Sequence, residues 1–390
     1  MTQAALIILD DDRPTMPVLG LSWPEFQMRR AVRAGARHLV LVADRVSRDV
    51  VEAVDRLRAE GLSTTLARTA AEVADLFHPE EVVLLMTGSA VVGEAQLKSL
   101  LHATKPTLLC IDAERAGPGH ELIDARSHWV GIARIDGAQV RATVTMVGDW
   151  DLGSTLLRKA VAGRALRTTL SGGDFLVDAS DAAGAAQASR ALVSGVSRVA
   201  RGWGGQWVLE PLARLVVQSF SVILPSLARF GPLVAMVMFV LAPVVQGWQW
   251  TTAAVALFLF AALVAASVRI AAAATGITGR SERLICSIRD GAAVLLIGMI
   301  AAVTLPDPTP VVLAVGVVAF SVLGDRLFDV EGVTTPPWLS DSAGHAIILL
   351  IASLFGASGV LVGLALCAAH GLASLAFLQN RLSRVLTSLR

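Results

Sequence analysis

TGITGRSERLICSIRDG, residues 275–291, carries three arginines, a glutamate, an aspartate and a cysteine between two long apolar runs. The run before it, TTAAVALFLFAALVAASVRIAAAA (251–274), holds one charge, Arg269. The run after it, GAAVLLIGMIAAVTL (291–305), holds none. In hydrocarbon every backbone polar group must be satisfied within the protein, so runs of this kind are helices, and roughly 17–25 apolar residues reach across a bilayer core. The stretch therefore reads as a cationic turn between two transmembrane helices. That reading sets the class of the whole C-terminal half.

Working outward from the turn, six spans are expected at about 231–246, 250–273, 290–305, 309–324, 343–356 and 358–378. Arg269, Arg280, Arg283 and Arg289 fall between the second and third, Arg326 follows the fourth, and Arg381, Arg384 and Arg390 follow the sixth. The connections QGWQW, TLPDPTP and FGASG contain no Lys or Arg. Positive loops stay on the cytoplasmic side, so the expected protein is a multi-pass protein of the inner (cytoplasmic) membrane, with its N-terminal half and its C-terminus cytosolic. GASGVLVG (356–363) supplies the small residues of a close helix contact, as would suit a subunit interface. Ahead of the spans, GQWVLEPLARLVVQSFSVILPSLARF (205–230) sets Trp207, Arg214 and Arg229 among apolar residues. This is the pattern of a helix lying in the membrane interface.

The N-terminal half has charges spread throughout. Over all 390 residues the net charge is +1, so no basic excess points to nucleic acid. Cys110, Cys286 and Cys367 have no C-x-x-C spacing, which suits a reducing compartment. MTQAALIILDDDR has no basic region before its short apolar run, so no signal peptide is expected. ALIIL (5–9), HLVLVAD (38–44), STTLA (63–67), EVVLLMTG (81–88) and PTLLCID (106–112) read as buried strands. Residues 22–35, 47–61, 71–77 and 93–103 have helical spacing. Ser22 and Glu25 fit a capping box, and Gly35 and Gly61 fit helix ends. The alternation predicts a Rossmann-like, mostly parallel sheet covered on both faces, over residues 1–165. Residues 166–204, rich in small side chains, read as a linker followed by a helix.

Acidic residues are the candidates here. Asp10, Asp11 and Asp12 form a solvated acidic turn or a cation site, with the solvated turn favoured. Asp149 and Asp151 make an Asp-x-Asp pair, Asp151 being placed to cap the helix that follows.

MPVLGLSWPEFQMRRAVRAGARHLVLVAD (16–44) resembles the sugar-phosphate nucleotidyltransferases, in which a Pro-Val-x-Gly-x-Pro segment leads into the first long helix. The resemblance implies a nucleotide-binding fold, and the departures from it concern the chemistry. The family's glycine-rich phosphate loop is here DDDRPTM, its activating lysine has no counterpart near Met16, and Ser89 stands where it has a metal-binding aspartate. A neutral hydroxyl is a poor ligand for Mg²⁺.

Joined to six spans, such a domain resembles the fusions of a nucleotidyltransferase to a CDP-alcohol phosphotransferase. That membrane family carries D-x-x-D-G-x-x-A-R-x8-G-x-x-x-D-x-x-x-D. Its carboxylates hold divalent metal on the CDP-alcohol pyrophosphate, and its last aspartate is taken as the base. Against VAASVRIAAAATGITGRSERLICSIRD (264–290) the motif places its last aspartate on Asp290 and its alanine on Ala272. Ala265, Val268 and Cys286 replace the other aspartates, Arg269 and Glu282 the glycines, and Ala273 the arginine.

The resemblance then implies a non-catalytic protein with no metal and no cofactor. Asp290 would be the remnant of the catalytic site, and Arg280, Arg283 and Arg289 would bind a phosphate or a lipid head group. Membrane lipids, and a second copy or an active relative in a dimer, are the expected partners. The expected role is that of a partner, regulator or lipid-binding subunit in phospholipid or sphingolipid head-group metabolism. The alternative is an active transferase using Mg²⁺, with Asp290 as base and Glu282, Asp325 or Asp329 recruited as ligands. His345 and His370 are expected to serve helix packing.

Overall fold

Ala5 and Ile7 of the first strand enter one hydrophobic core and Ala4 and Leu6 another, as the period of a strand requires. Leu39 and Leu41 alternate with Val40 and Val42 in the same way on the next strand. The computed structural model describes residues 3–10, 16–117, 120–147, 151–172, 174–196, 202–277, 282–304, 308–328 and 338–388. The chain forms two compact units, Met1–Leu192 and Val193–Arg390.

The first unit runs β1 (Gln3–Ile8), α1 (Trp23–Ala34), β2 (His38–Val42), α2 (Arg48–Ala59), β3 (Ser63–Ala67), α3 (Ala70–Val73), β4 (Val82–Thr87), β5 (Ala90–Val92), α4 (Glu94–Leu101) and β6 (Thr107–Asp112). It continues with β7 (Glu121–Asp124), β8 (Ser127–Asp136), α5 (Gly137–Val147), α6 (Leu152–Ala162), β9 (Leu166–Thr169), β10 (Leu176–Asp178) and α7 (Ala182–Gly195), whose last three residues belong to the second unit. The sheet order is β3-β2-β1-β4-β8-β6-β9. β1 to β4 are mutually parallel, and β8 is antiparallel to both β4 and β6. The five strands expected from the sequence are all present. Strands β5, β7, β8, β9 and β10 are additional.

Two expectations are corrected here. The stretch from residue 166, read as a linker, supplies an edge strand, with β9 parallel to β6, and a second short strand, β10 antiparallel to β5. Strands as short as these gain their stability from the sheet they complete, so the composition of the surrounding stretch hides them. The Ser22–Glu25 capping box is also absent. Ser22 makes no side-chain cap, because the Glu25 carboxylate turns inward to Arg29 and Arg56. Gly35 does close α1, at φ +125°, as the sequence suggested.

Asp124 fastens the new edge. Its carboxylate accepts from the Arg126 and Ser127 amides at 2.9 and 3.0 Å and from the Ser127 hydroxyl, and it pairs with Arg167 of β9. The Arg126 amide first, then Ser127 and Arg167, hold this carboxyl well below the usual aspartate range. A group depressed in the fold stabilises above its ordinary pKa of about 4 and loses that contribution as pH falls below it. Asp124→Asn is therefore expected to narrow the difference between the urea midpoints measured at pH 7 and at pH 3. An unchanged difference would count against the tie.

The second unit begins with a π-turn (Gly205–Leu209) and α8 (Glu210–Ser219), then α9 (Leu224–Gln246), α10 (Thr251–Thr275), α11 (Glu282–Thr304), α12 (Thr309–Phe328), α13 (Ser342–Ser353) and α14 (Gly356–Ser388). Four stretches among the described residues are long and apolar enough to cross a membrane: Ser221–Gln246, Thr251–Thr275, Leu284–Thr304 and Gly356–Arg381. Thr309–Val318 and Ser342–Ser353 are shorter apolar helices. The first span starts earlier than its expected Gly231, because Pro225 sits in the first turn of α9, where a missing N–H costs nothing. Residues 224–230 of the expected interfacial helix thus lie on α9, within a candidate span.

The small residues of GASGVLVG lie against this chain's own helix. A Cβ on Gly359 would meet the Ala352 carbonyl and Phe355, and one on Gly363 would meet Ala352 at 2.6 Å and Leu349 at 3.4 Å. These glycines bring α14 onto α13, an internal helix contact at the stretch expected to suit a subunit interface.

Candidate functional site

Asp290 lies in the third turn of α11, and its carboxylate is held by its chain neighbour. Arg289 donates from Nε at 2.9 Å and approaches from Nη2 at 2.8 Å. Asp290 also lines a cleft of about 570 Å³, counted to its open mouth, walled by α10, α11, α12 and α13. Val255, Phe258, Leu296, Ile297, Val318 and Leu349 form most of the wall, and Ser342 and His345 add polar atoms. Cys367 donates from Sγ to the His345 carbonyl at 3.7 Å, the His345 and His370 rings stand edge to face at 6.1 Å, and His370 bonds the Trp338 carbonyl at 2.9 Å. His345 is therefore part of the packing between α13 and α14, as expected, and part of the cleft as well. No linear spacing announces that Asp290 and His345 share one cavity, since they lie on helices joined through α12.

Ala265 and Val268 are buried on α10, and Val268 closes onto Gly231 of α9, so apolar packing fills that space. Arg280 and Asp329 lie outside the described residues. Glu282, Arg283, Asp325 and Arg326 fall on α11 and α12, with side chains outside the described set. Among the described residues no group of three or more His, Cys, Asp and Glu side chains could hold a metal ion. A divalent pair needs several oxygen anions per ion, and the donors described here do not fit one.

In the α/β unit the candidate crevice sits where the strand order reverses, at the carboxyl ends of β1 and β4, the place open α/β sheets use for ligands. Asp10, Ser22, Arg45 and Asp49 line one side of Gly88, and Ser89, His120, Glu121 and Asp178 line the other. Asp11 and Asp12 lie outside the described residues. Ser89 donates to Asp178, which also accepts from the Ser180 amide at 3.0 Å. Glu121 accepts from Ser154 at 2.7 Å. Asp151 caps α6 through the Gly153 and Ser154 amides at 3.2 and 2.8 Å, while Asp149 is outside the described residues. Sequence reasoning missed Asp178, and its one signal was the short apolar run FLV ahead of it in the presumed linker. These hydrogen bonds join the carboxylates to neighbours on their own unit instead of aiming them at one point.

No family model matches the chain, and no curated protein matches it. Among solved structures it is similar to a protein from Bacillus anthracis described as a glucose-1-phosphate thymidylyltransferase, solved with sucrose. The TM-score is 0.37 at 11% identity, over 50% of this chain and 97% of that one.

Proposed function

We propose that the chain is a non-catalytic relative of the CDP-alcohol phosphotransferases, with a nucleotidyltransferase-like head, that holds a membrane lipid in the Asp290 cleft. In this reading it is a partner or regulatory subunit in phospholipid or sphingolipid head-group metabolism, its six helices crossing the membrane with head and C-terminus cytosolic. One observation carries it. The cleft is apolar apart from Asp290, Ser342 and His345, and the Asp290 carboxylate is already paired with Arg289. A pyrophosphate brought there without metal would strand its charges against apolar walls at a cost of several kcal/mol. An acyl chain meets no such penalty, and Ser342 and His345 can hydrogen-bond its polar end. A second copy, or a relative that keeps all four motif aspartates, would supply the dimer partner.

The chain purified in mild detergent should carry a lipid visible by native mass spectrometry, and Ala346→Phe, which fills the cleft, should release it. With Mg²⁺ or Mn²⁺ the same preparation should leave CDP-alcohols intact. Metal-dependent turnover abolished by Asp290→Asn would replace this reading with that of an active transferase.

A further inference from the structure

From Gly205 to Ile223 the helical unit turns an apolar face outward. Trp207 (67% exposed), Leu215 (60%), Phe220 (57%) and Val222 (80%) lie on it, and none of the exposed residues in this segment is charged. The polar groups are drawn inward: Arg214 bonds Glu210 at 2.7 Å and donates to the carbonyls of Val193 at 2.9 Å and Val196 at 2.7 Å. Ala213 and Val217 are buried on the side packed on α10. The first turn is pinned by Asp341, which accepts from the Gly204 and Gly205 amides at 3.2 and 2.8 Å. So fixed, the segment cannot roll its apolar face into the protein.

Exposed apolar residues continue along the candidate span Ser221–Gln246, where Phe230, Leu233, Val237 and Val240 are exposed after an exposed Arg229. Beyond the far end of that helix, Trp248 and Trp250 are exposed. The 23 residues of α9 rise about 34 Å at ~1.5 Å each, close to the ~30 Å of a hydrocarbon core. The exposed tryptophans at this far end match the aromatic belt of one interface.

We infer that Gly205–Ile223 is seated in the lipid: its apolar face enters the acyl boundary of the monolayer in which the first span begins, with Trp207 near the head groups. The inference rests on the helical unit crossing a bilayer and not on what the cleft binds. It is tested with the full chain in a Cys286→Ser background, since Cys110 and Cys367 are buried. A bimane probe is placed at Leu215→Cys, Val222→Cys or, as the aqueous control, Arg48→Cys on the exposed face of α2. The protein is reconstituted into phosphatidylcholine–phosphatidylglycerol vesicles, with or without lipids brominated at shallow acyl positions. Bromolipid quenching at 215 and 222 should exceed that at 48 by about twofold or more, as for a helix a few ångströms below the head groups. Quenching at 215 no greater than at 48 overturns the inference. Iodide then reads out why: access marks a face in water, and no access marks a face covered by protein, such as a second copy. A null result here leaves the cleft reading standing, because lipid retention and CDP-alcohol turnover are read separately.

Discussion

Asp341→Ala should destabilise the helical unit by about 3 kcal/mol or more, because one carboxylate serves two helix starts and its loss strands three amides. Asp341 accepts from Gly344 at 3.0 Å at the head of α13, and from Gly204 and Gly205 at the head of the surface segment. The clasp has no slack. A Cβ on Gly204 would collide with Gly344, and one on Gly344 would collide with the Trp203 indole. The Trp203 amide in turn donates to the Leu339 carbonyl at 3.1 Å. Both helix N-termini carry partial positive charge, so a carboxylate between them gains from each dipole as well as from its hydrogen bonds. Hydrogen exchange followed by mass spectrometry on the reconstituted chain should show faster exchange in peptides covering 202–210 and 341–350. Asp341→Asn, which keeps one acceptor oxygen, should fall between wild type and alanine. Wild-type exchange in both peptides of the alanine variant would show that the clasp is ornamental.

Arg29→Met should cost the α/β unit about 3–5 kcal/mol, the range for removing one partner of a buried ion pair. Glu25 is fully buried and Arg29 is 2% exposed. The Arg29 guanidinium bonds Glu25 at 3.0 Å and takes Glu60 in a fork at 2.9 and 2.6 Å, tying α1 to the end of α2. Burial pulls the Arg29 pKa down, but the hydrogen bonds and charges of Glu60 and Glu25 outweigh it and leave it above its ordinary value. With Arg29 gone, Glu25 keeps its described bond to Arg56 but loses the buried cation beside it. The double variant Arg29→Met/Glu25→Leu should recover much of the loss, since apolar replacement of a whole buried pair is often close to neutral. Urea unfolding in detergent, followed by far-UV circular dichroism, measures both. Equal midpoints for the single and the double variant would mean that the Glu25–Arg29 contact itself carries little coupling energy.

Glu25 also shows where a local rule yields. Three residues after Ser22 it has the spacing of a capping box, worth about 1 kcal/mol. Two arginines within reach of a fully buried carboxylate offer more, and one of them comes from α2, on which local spacing is silent. The same logic applies to Gly359 and Gly363. Small residues on one face announce a close helix contact, but not whether the partner is another subunit or the preceding helix of the same chain.

Local residue patterns were enough for the alternation that makes β1 to β4 and β6 and for the apolar lengths that make four candidate spans. Those features follow from periodicity and from the cost of unpaired backbone in hydrocarbon, and both are properties of contiguous residues. Tertiary structure alone decided that β9 and β10 leave the apparent linker to complete sheets, that Asp341 joins two helix starts, and that His345 meets Asp290 in one cleft. Each depends on groups far apart in the chain, whose meeting is set by packing of the whole unit, and nothing in the neighbouring residues records it.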